Sequence, residues 1–183
     1  RGVDSHGEGA GGAADRCGNG DRESETALLQ NRELNAQWSV SAPVISGNYV
    51  VYTPQDQDLI ICLDLAEGRR IWQRTKEQGL YLAGVYHGKV VVANDNGLVA
   101  YQLEDGKVAW NDKFENGTRI AGRGIATDDR YYVPLNSGEL RSIDLMTGKT
   151  ASQSYVGSRE PALGNLVMHR GKLVSLGSHG MSV

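Results

Sequence analysis

The chain of 183 residues has no long apolar run, few cysteines and little excess charge. No stretch approaches the roughly 20 apolar residues that a membrane-spanning helix needs, so none is predicted. The net charge of −3 does not indicate binding to nucleic acid or to an anionic membrane. Of the two cysteines, Cys62 lies in an apolar run, which favours a buried thiol. A disulfide between Cys62 and Cys17 is an open alternative, and the number of cysteines does not decide the cellular compartment of the protein.

The first part of the chain is poor in large apolar side chains. Residues 1–24 are rich in glycine and charge, and such a composition cannot recover its ordering entropy by burial. We therefore predict a flexible or weakly structured segment over 1–37, in which Ser24 could begin a short helix or the chain could approach Trp38 irregularly. The chain begins with Arg1 and no signal-peptide segment follows, so we expect a processed or excised piece.

One ten-residue pattern occurs three times in the rest of the chain. Aligned on their glycines, the copies lie 38 and 42 residues apart. A period near 40 with four short strands in each unit is typical of a β-propeller blade. The copies are Leu-Asp-Leu-Ala-Glu-Gly-Arg-Arg-Ile-Trp at 63–72, Tyr-Gln-Leu-Glu-Asp-Gly-Lys-Val-Ala-Trp at 101–110 and Ile-Asp-Leu-Met-Thr-Gly-Lys-Thr-Ala-Ser at 143–152.

The predicted fold is all-β: a partial β-propeller of about three complete four-stranded antiparallel blades plus part of a fourth. Each unit contains runs of Val, Ile, Leu and Tyr separated by turn residues. Propellers close with about four to eight blades, so we favour a fragment of a larger propeller over completion by partner chains. The predicted propeller covers 38–183, with blades at 38–75, 79–112, 118–155 and 159–183, the last partial and ending inside a turn at 177–180.

The repeats resemble the pyrroloquinoline-quinone-type (PQQ-like) propeller blade, whose tryptophan-docking motif is roughly Asp-x-x-Thr-Gly-Lys-x-x-Trp. Gln102 stands where the motif has Asp, and Ser152 stands where it has Trp. The resemblance implies that the Trp of one blade packs against a neighbouring blade. We interpret the motif aspartates as turn-stabilising and the tryptophans as packing residues, because active-site groups are singular and these recur. The motif residues are Asp64, Gly68, Trp72, Gly106, Trp110, Asp144 and Gly148.

No catalytic constellation stands out elsewhere. The histidines lack metal-ligand spacing, and the Asn94–Gly97 run is more typical of a hairpin than of a calcium loop. The Gly122-Arg123-Gly124 run lies inside a predicted inner strand at 119–127, where glycine would let the strand crowd the propeller axis and Arg123 would pair with a carboxylate or bind an anion. The sequon Asn116-Gly117-Thr118 matters only in a eukaryotic secretory setting.

The leading hypothesis is therefore a non-catalytic interaction scaffold from a periplasmic, cell-envelope or secreted protein, with a protein partner or the remaining blades bound to it. The resembling family includes such propellers, among them the lipoprotein of the bacterial outer-membrane assembly machine. It also includes quinoprotein dehydrogenases, so the alternative is a fragment of one, with PQQ and calcium as cofactors. The adjacent cysteines that those enzymes often carry are absent here. A sensory or carbohydrate-handling propeller is a third possibility.

Overall fold

The structure, a computed structural model, describes residues 42–76, 79–115, 117–155, 163–177 and 180–182. The described residues form fifteen β-strands and no helix. The predicted segment 1–37 lies outside them. The strands are β1 Val44–Ser46, β2 Tyr49–Tyr52, β3 Leu59–Asp64, β4 Arg70–Thr75, β5 Gly79–Tyr86, β6 Lys89–Asn94, β7 Gly97–Gln102, β8 Val108–Lys113, β9 Ile125–Ala126, β10 Arg130–Pro134, β11 Glu139–Asp144, β12 Thr150–Tyr155, β13 Asn165–His169, β14 Lys172–Gly177 and β15 Gly180–Ser182.

The strands form four antiparallel sheets in which neighbours in sequence are neighbours in space. Blade 1 contains β1 to β4, blade 2 contains β5 to β8, blade 3 contains β9 to β12, and blade 4 contains β13 to β15. Short hairpins connect the strands within each blade. Several of these hairpins require a residue with a positive φ angle, such as Gly47 between β1 and β2, whose φ is +57°. The predicted all-β class, with three four-stranded blades and part of a fourth, is confirmed. Within the described residues, no helix has the length and apolarity to cross a membrane.

The apolar cores lie between successive blades. Side chains of β2, β3 and β4 pack with one face of blade 2, and the other face of blade 2 packs with blade 3. Strands β6 and β7 are therefore covered on both faces, which is why the run Val90-Val91-Val92-Ala93 is continuously apolar and not alternating. Blade 2 is the best-buried sheet of the described chain because it alone has a four-stranded neighbour on each side.

The third and fourth strands of blades 1 to 3 share a register shift at the same point of the repeat. The shift falls immediately before the motif turn, and a bulge there increases the local twist. It also sets a small residue opposite the Trp position: Cys62 opposite Trp72, and Ala100 opposite Trp110. The shifts lie at Cys62/Leu63, Ala100/Tyr101 and Ser142/Ile143.

Two sequence expectations are corrected. The inner strand predicted over 119–127 is reduced to β9 and one isolated bridge from Ile120 to Leu135, because the intervening segment turns toward blade 4. There the backbone N–H of Leu166 donates to the Arg123 carbonyl at 2.8 Å. The fourth unit does not end inside a turn at 177–180: Gly177 ends β14 and Gly180 begins a third strand, β15.

Candidate functional site

The motif aspartates lie at the tight turn between the third and fourth strands. Asp64 Oδ1 accepts hydrogen bonds from the N–H groups of Ala66 and Glu67 at 2.9 and 2.8 Å. Asp144 Oδ1 accepts corresponding bonds from Met146 and Thr147 at 3.0 and 2.8 Å. The bonds from Thr147 hold the pKa of Asp144 below its usual range, with a smaller contribution from Met146. Both carboxylates are thus held by backbone donors, as an Asx turn requires.

Blade 2 builds the same turn with different side chains. Gln102 replaces the aspartate, and Asp105 Oδ1 accepts a hydrogen bond from the Lys107 N–H at 2.9 Å. The Lys107 ammonium lies 2.8 Å from Asp105 Oδ2, and this hydrogen bond raises the pKa of Lys107. In blades 1 to 3 the turn glycine donates its N–H to the carbonyl four residues earlier, as Gly106 does to Gln102 at 2.9 Å. The backbone of the turn is therefore independent of the aspartate.

The motif tryptophans join each blade to the next. Trp72 of blade 1 donates its indole N–H to the Leu103 carbonyl of blade 2 at 2.7 Å. Trp110 of blade 2 donates to the Leu145 carbonyl of blade 3 at 3.1 Å. Each indole is only 8% exposed. A buried indole N–H needs an acceptor, so one hydrogen bond and one large apolar surface are shared at each blade junction.

The motif glycines form the surface against which the indoles pack. At Gly106 an added Cβ would lie 2.7 Å from the Cδ2 atom of Trp72, and at Gly148 it would lie 2.5 Å from the Cδ2 atom of Trp110. Both glycines also have φ near +70°. These positions therefore require glycine for two reasons: the backbone has a positive φ angle, and a Cβ atom would collide with the indole ring.

Blade 3 has no docking tryptophan. Ser152 is exposed and its hydroxyl lies 2.7 Å from the hydroxyl of Ser142 on the adjacent strand. The whole of β12 is exposed, unlike β4 and β8, which each bury their Trp. The third junction therefore differs in kind from the first two.

A buried ionic cluster between blades 2 and 3 was missed by the sequence analysis. Arg141 donates from Nε and Nη2 to the two carboxylate oxygens of Glu139 at 2.7 and 3.0 Å, and both side chains are buried. Its guanidinium carbon lies 4.8 Å from the ring centroid of Phe114. Asp112 on β8 lies near enough for the charge of Arg141 to act on it. Glu139 and Arg141 lie two residues apart on β11, a spacing that also occurs on the solvent-facing side of a strand, so the sequence did not indicate the cluster.

Replacing Asp112 with asparagine is expected to raise the melting temperature at neutral pH. Burial raises the pKa of Asp112 above its usual value despite the opposing charge of Arg141, and its buried Oδ2 atom has no hydrogen-bond partner. A carboxyl with a raised pKa destabilises the fold once pH rises above its unfolded pKa, because folding opposes its ionisation. The gain should therefore disappear below about pH 4. Melting curves from pH 3 to 8 would test this, and an Asn variant that is less stable throughout would contradict it.

The segment that sequence analysis singled out at 122–124 contacts two buried tyrosines. The Tyr81 hydroxyl accepts the N–H of Gly124 at 2.9 Å and lies 3.1 Å from the Tyr131 hydroxyl. The Arg123 guanidinium lies 4.9 Å from the ring centroid of Tyr81. A Cβ added at Gly122 would collide with the backbone of Gly164 in blade 4. These contacts couple blades 2, 3 and 4 and make the glycines structural.

The other polar and cysteine residues considered in the sequence take part in local packing or turns. His87 is exposed in the β5–β6 hairpin, and its Nε2 atom lies 2.7 Å from the Asp128 carbonyl of blade 3. Asn94 and Gly97 pair across a hairpin, as the sequence indicated. Cys62 is a buried free thiol, and burial raises its pKa to about 11. A thiol with that pKa is a weak nucleophile at neutral pH.

An open groove lies between blades 1 and 2, with a volume of about 350 Å³. Two cations line it: Arg74, whose Nε–H donates to the Gly106 carbonyl at 2.8 Å, and Lys107. Val108 at its margin is 61% exposed. The Asp105 carboxylate that pairs with Lys107 lies beside them, so two cations and one carboxylate stand next to an apolar side chain. The other lining residues are Thr75, Val99, Tyr101 and Asn111.

The described side chains do not fit the cofactor that the quinoprotein resemblance would bring. No group of three or more His, Cys, Asp or Glu residues in the described part of the chain is placed to hold a metal ion. The calcium that accompanies the quinone needs several oxygen ligands at about 2.3–2.6 Å. The donor set of the described blades thus differs from that of a calcium-quinone site.

The comparisons with known proteins agree with this blade geometry. A family model described as outer membrane protein assembly factor BamB matches residues 15–178. The chain belongs to this family. The predicted resemblance to PQQ-like propellers is thereby confirmed. The comparison with curated proteins found no match.

Solved structures extend the comparison of fold for this BamB-family chain. BamB from Moraxella catarrhalis is similar over 73% of the chain and 42% of its own length, with 19% identity and a TM-score of 0.58. A europium-containing methanol dehydrogenase is similar over 62% of the chain and 24% of its own length, with 20% identity and a TM-score of 0.51. The computationally designed Ika4 protein is similar over 80% of the chain and 90% of its own length, with 16% identity and a TM-score of 0.62. The chain thus spans less than half of the two natural relatives, and these likenesses concern the fold.

Proposed function

We propose that this chain is part of a non-catalytic β-propeller of the bacterial cell envelope, which binds a partner protein in the groove between blades 1 and 2. The observation that carries the proposal is the charge and shape of that groove. Arg74 and Lys107 supply two positive charges against the single carboxylate of Asp105, and Val108 supplies an exposed apolar contact. The partner segment would carry carboxylates next to an apolar side chain, because complementary charge around an apolar contact orients a protein interface.

Membership of the BamB family supports a periplasmic or envelope location and a protein partner. The polar groups of the motif turns support the absence of catalysis in these blades, since they are bound to backbone donors of their own turns. The proposal includes no PQQ and no calcium for these blades. Cell fractionation of the natural host tests the location, and recovery in the cytosol would contradict it.

Site-specific photo-crosslinking in the natural host tests the groove. A benzophenone amino acid at Val108 should join the full-length protein to one protein, and mass spectrometry should place the adduct in a segment that contains Asp or Glu. Thr150 is the matched control, since it begins β12 as Val108 begins β8 and is also exposed. Reversing both groove charges, with Arg74→Glu and Lys107→Glu, should lower the yield at least about tenfold.

Two outcomes would contradict the proposal. One is an adduct pattern at Val108 that matches the pattern at Thr150 or survives the charge reversal in a variant that melts like the parent. The other is tight binding of PQQ and calcium by the full-length protein together with dye-coupled alcohol oxidation, which would establish the dehydrogenase alternative.

A further inference from the structure

A thioether and an ammonium group meet at the junction between blades 2 and 3. The Nζ atom of Lys89, at the start of β6, lies 3.7 Å from the Sδ atom of Met146 in the motif turn of blade 3. The other acceptor of this ammonium among the described residues is the His87 carbonyl at 3.5 Å. A thioether is a weak acceptor, and 3.5 Å exceeds the usual N–H···O distance of about 2.7–3.2 Å. The described residues therefore bond the ammonium only weakly.

The two side chains differ in exposure. Lys89 is 9% exposed, so most of its side chain is withdrawn from water. Met146 is 52% exposed, so a small oxidant dissolved in water reaches this residue. A surface thioether thus covers a largely buried side chain that ends in a cation.

Hydrogen bonds fix the backbone on both sides of this contact. The Met146 N–H donates to Asp144 Oδ1 at 3.0 Å, which holds the start of the Met146 side chain in the turn. In the β5–β6 hairpin, the Nε2 atom of His87 lies 2.7 Å from the Asp128 carbonyl of blade 3. The hairpin and the turn therefore keep the sulfur and the ammonium close together although the bond between them is weak.

The contact is particular to this junction and does not belong to the repeat. In the register of the blades, Tyr49 of blade 1 corresponds to Lys89 of blade 2, and Glu104 of blade 2 corresponds to Met146 of blade 3. The first junction thus has neither a cation nor a thioether at these positions.

We propose that Met146 is a site of reversible oxidation, and that its sulfoxide binds Lys89 and stabilises the junction between blades 2 and 3. The oxidant is hydrogen peroxide. The sulfur loses two electrons to the peroxide, an S–O bond forms as the O–O bond breaks, and the second peroxide oxygen leaves as water with both protons. The proposal does not depend on the groove between blades 1 and 2.

The new oxygen supplies the acceptor that Lys89 lacks. An S–O bond is much shorter than the 3.7 Å between Sδ and Nζ, so the oxygen can approach the ammonium to a charge-assisted distance of about 2.7–2.9 Å. Oxidation of a methionine in an apolar core destabilises a protein because it buries a polar group. At the half-exposed Met146 that cost is small, and the new bond to Lys89 exceeds it.

Peroxide treatment of the full-length protein tests the proposal. Peptide mass spectrometry should find sulfoxide at Met146, and the melting temperature of the parent should rise by at least about 2 °C relative to a Met146→Leu variant treated alike. Methionine sulfoxide reductases should reverse the rise. Absence of sulfoxide at Met146 in the folded protein would overturn the proposal, and so would a relative melting temperature that stays equal or falls.

Two controls assign the effect to the ammonium. Lys89→Leu should still form the sulfoxide at Met146 but should lose at least half of the relative rise, and a full rise would overturn the proposal. Met168 on β13 is 37% exposed, and its sulfur makes no hydrogen bond to the described residues. Its sulfoxide, measured against Met168→Leu in the same way, should give no rise. An equal rise from Met168 would show that Lys89 has no part in the effect.

Discussion

Replacement of Trp110 by alanine is expected to lower the free energy of unfolding by roughly 3–5 kcal/mol. The indole is 8% exposed and packs between blades 2 and 3, so its removal leaves a cavity at the junction. A Trp side chain buries about 150–250 Å², and the transfer of that area alone accounts for several kcal/mol as an upper estimate. The Leu145 carbonyl would also lose its donor at 3.1 Å. Denaturant unfolding followed by circular dichroism measures the change.

Two variants separate the parts of this effect. Trp110→Phe keeps an aromatic ring in the junction but removes the N–H donor, so it should cost about 1–3 kcal/mol less than the alanine variant. Ser152→Ala changes the same repeat position in blade 3, where the side chain is exposed and its hydroxyl lies 2.7 Å from that of Ser142. It should cost at most about 1 kcal/mol. Equal losses for Trp110→Ala and Ser152→Ala would contradict the docking role of the indole.

The repeat explains why so much of the fold could be predicted. Gly106 and Gly148 occur at one phase of the period, and a turn that needs a positive φ recurs wherever the strand layout recurs. The four-strand layout of blades 1 and 2 followed because turn residues separate their apolar runs. At these positions the local sequence indicates the same turns and strands that the propeller topology requires. They could therefore be predicted without knowledge of contacts between distant residues.

The parts that could not be predicted depend on contacts between blades. The inner strand of blade 3 is interrupted because Arg123 bonds through its backbone to Asn165 and Leu166, which lie about 40 residues later in the chain. A sequence pattern with a period of two cannot show such a contact. Residues 119–127 therefore have strand-like composition without forming one continuous strand.

The candidate groove and the ionic cluster were missed for a related reason. Lys107 and Val108 belong to the repeat motif, and their shared surface with Arg74 appears only when blades 1 and 2 are side by side. Glu139 and Arg141 lie two residues apart on β11, as charged side chains on a solvated face of a strand do. In blade 3 that face is covered by blade 2, so the same pattern describes a buried pair.

Replacement of Arg141 by methionine is expected to destabilise the protein by about 3–5 kcal/mol at pH 7. Glu139 would remain buried without a cation, and Asp112 would lose the charge that opposes its desolvation. The packing of the guanidinium on Phe114 would also be lost. Because the charge of Arg141 lowers the pKa of Asp112, its loss should raise that pKa further, and the difference from the parent protein should shrink as Asp112 is protonated at lower pH. Urea unfolding at pH 7 and pH 4.5 measures both effects.

The double variant Glu139→Leu and Arg141→Met is the control for this prediction. It removes both charges and replaces them with apolar groups, a change that is often neutral or stabilising by about 1–4 kcal/mol. We therefore expect its stability at pH 7 to lie above that of Arg141→Met, with less dependence on pH. A loss below about 1 kcal/mol for Arg141→Met, or a double variant less stable than the single one, would show that the pair is not buried as a unit between blades 2 and 3.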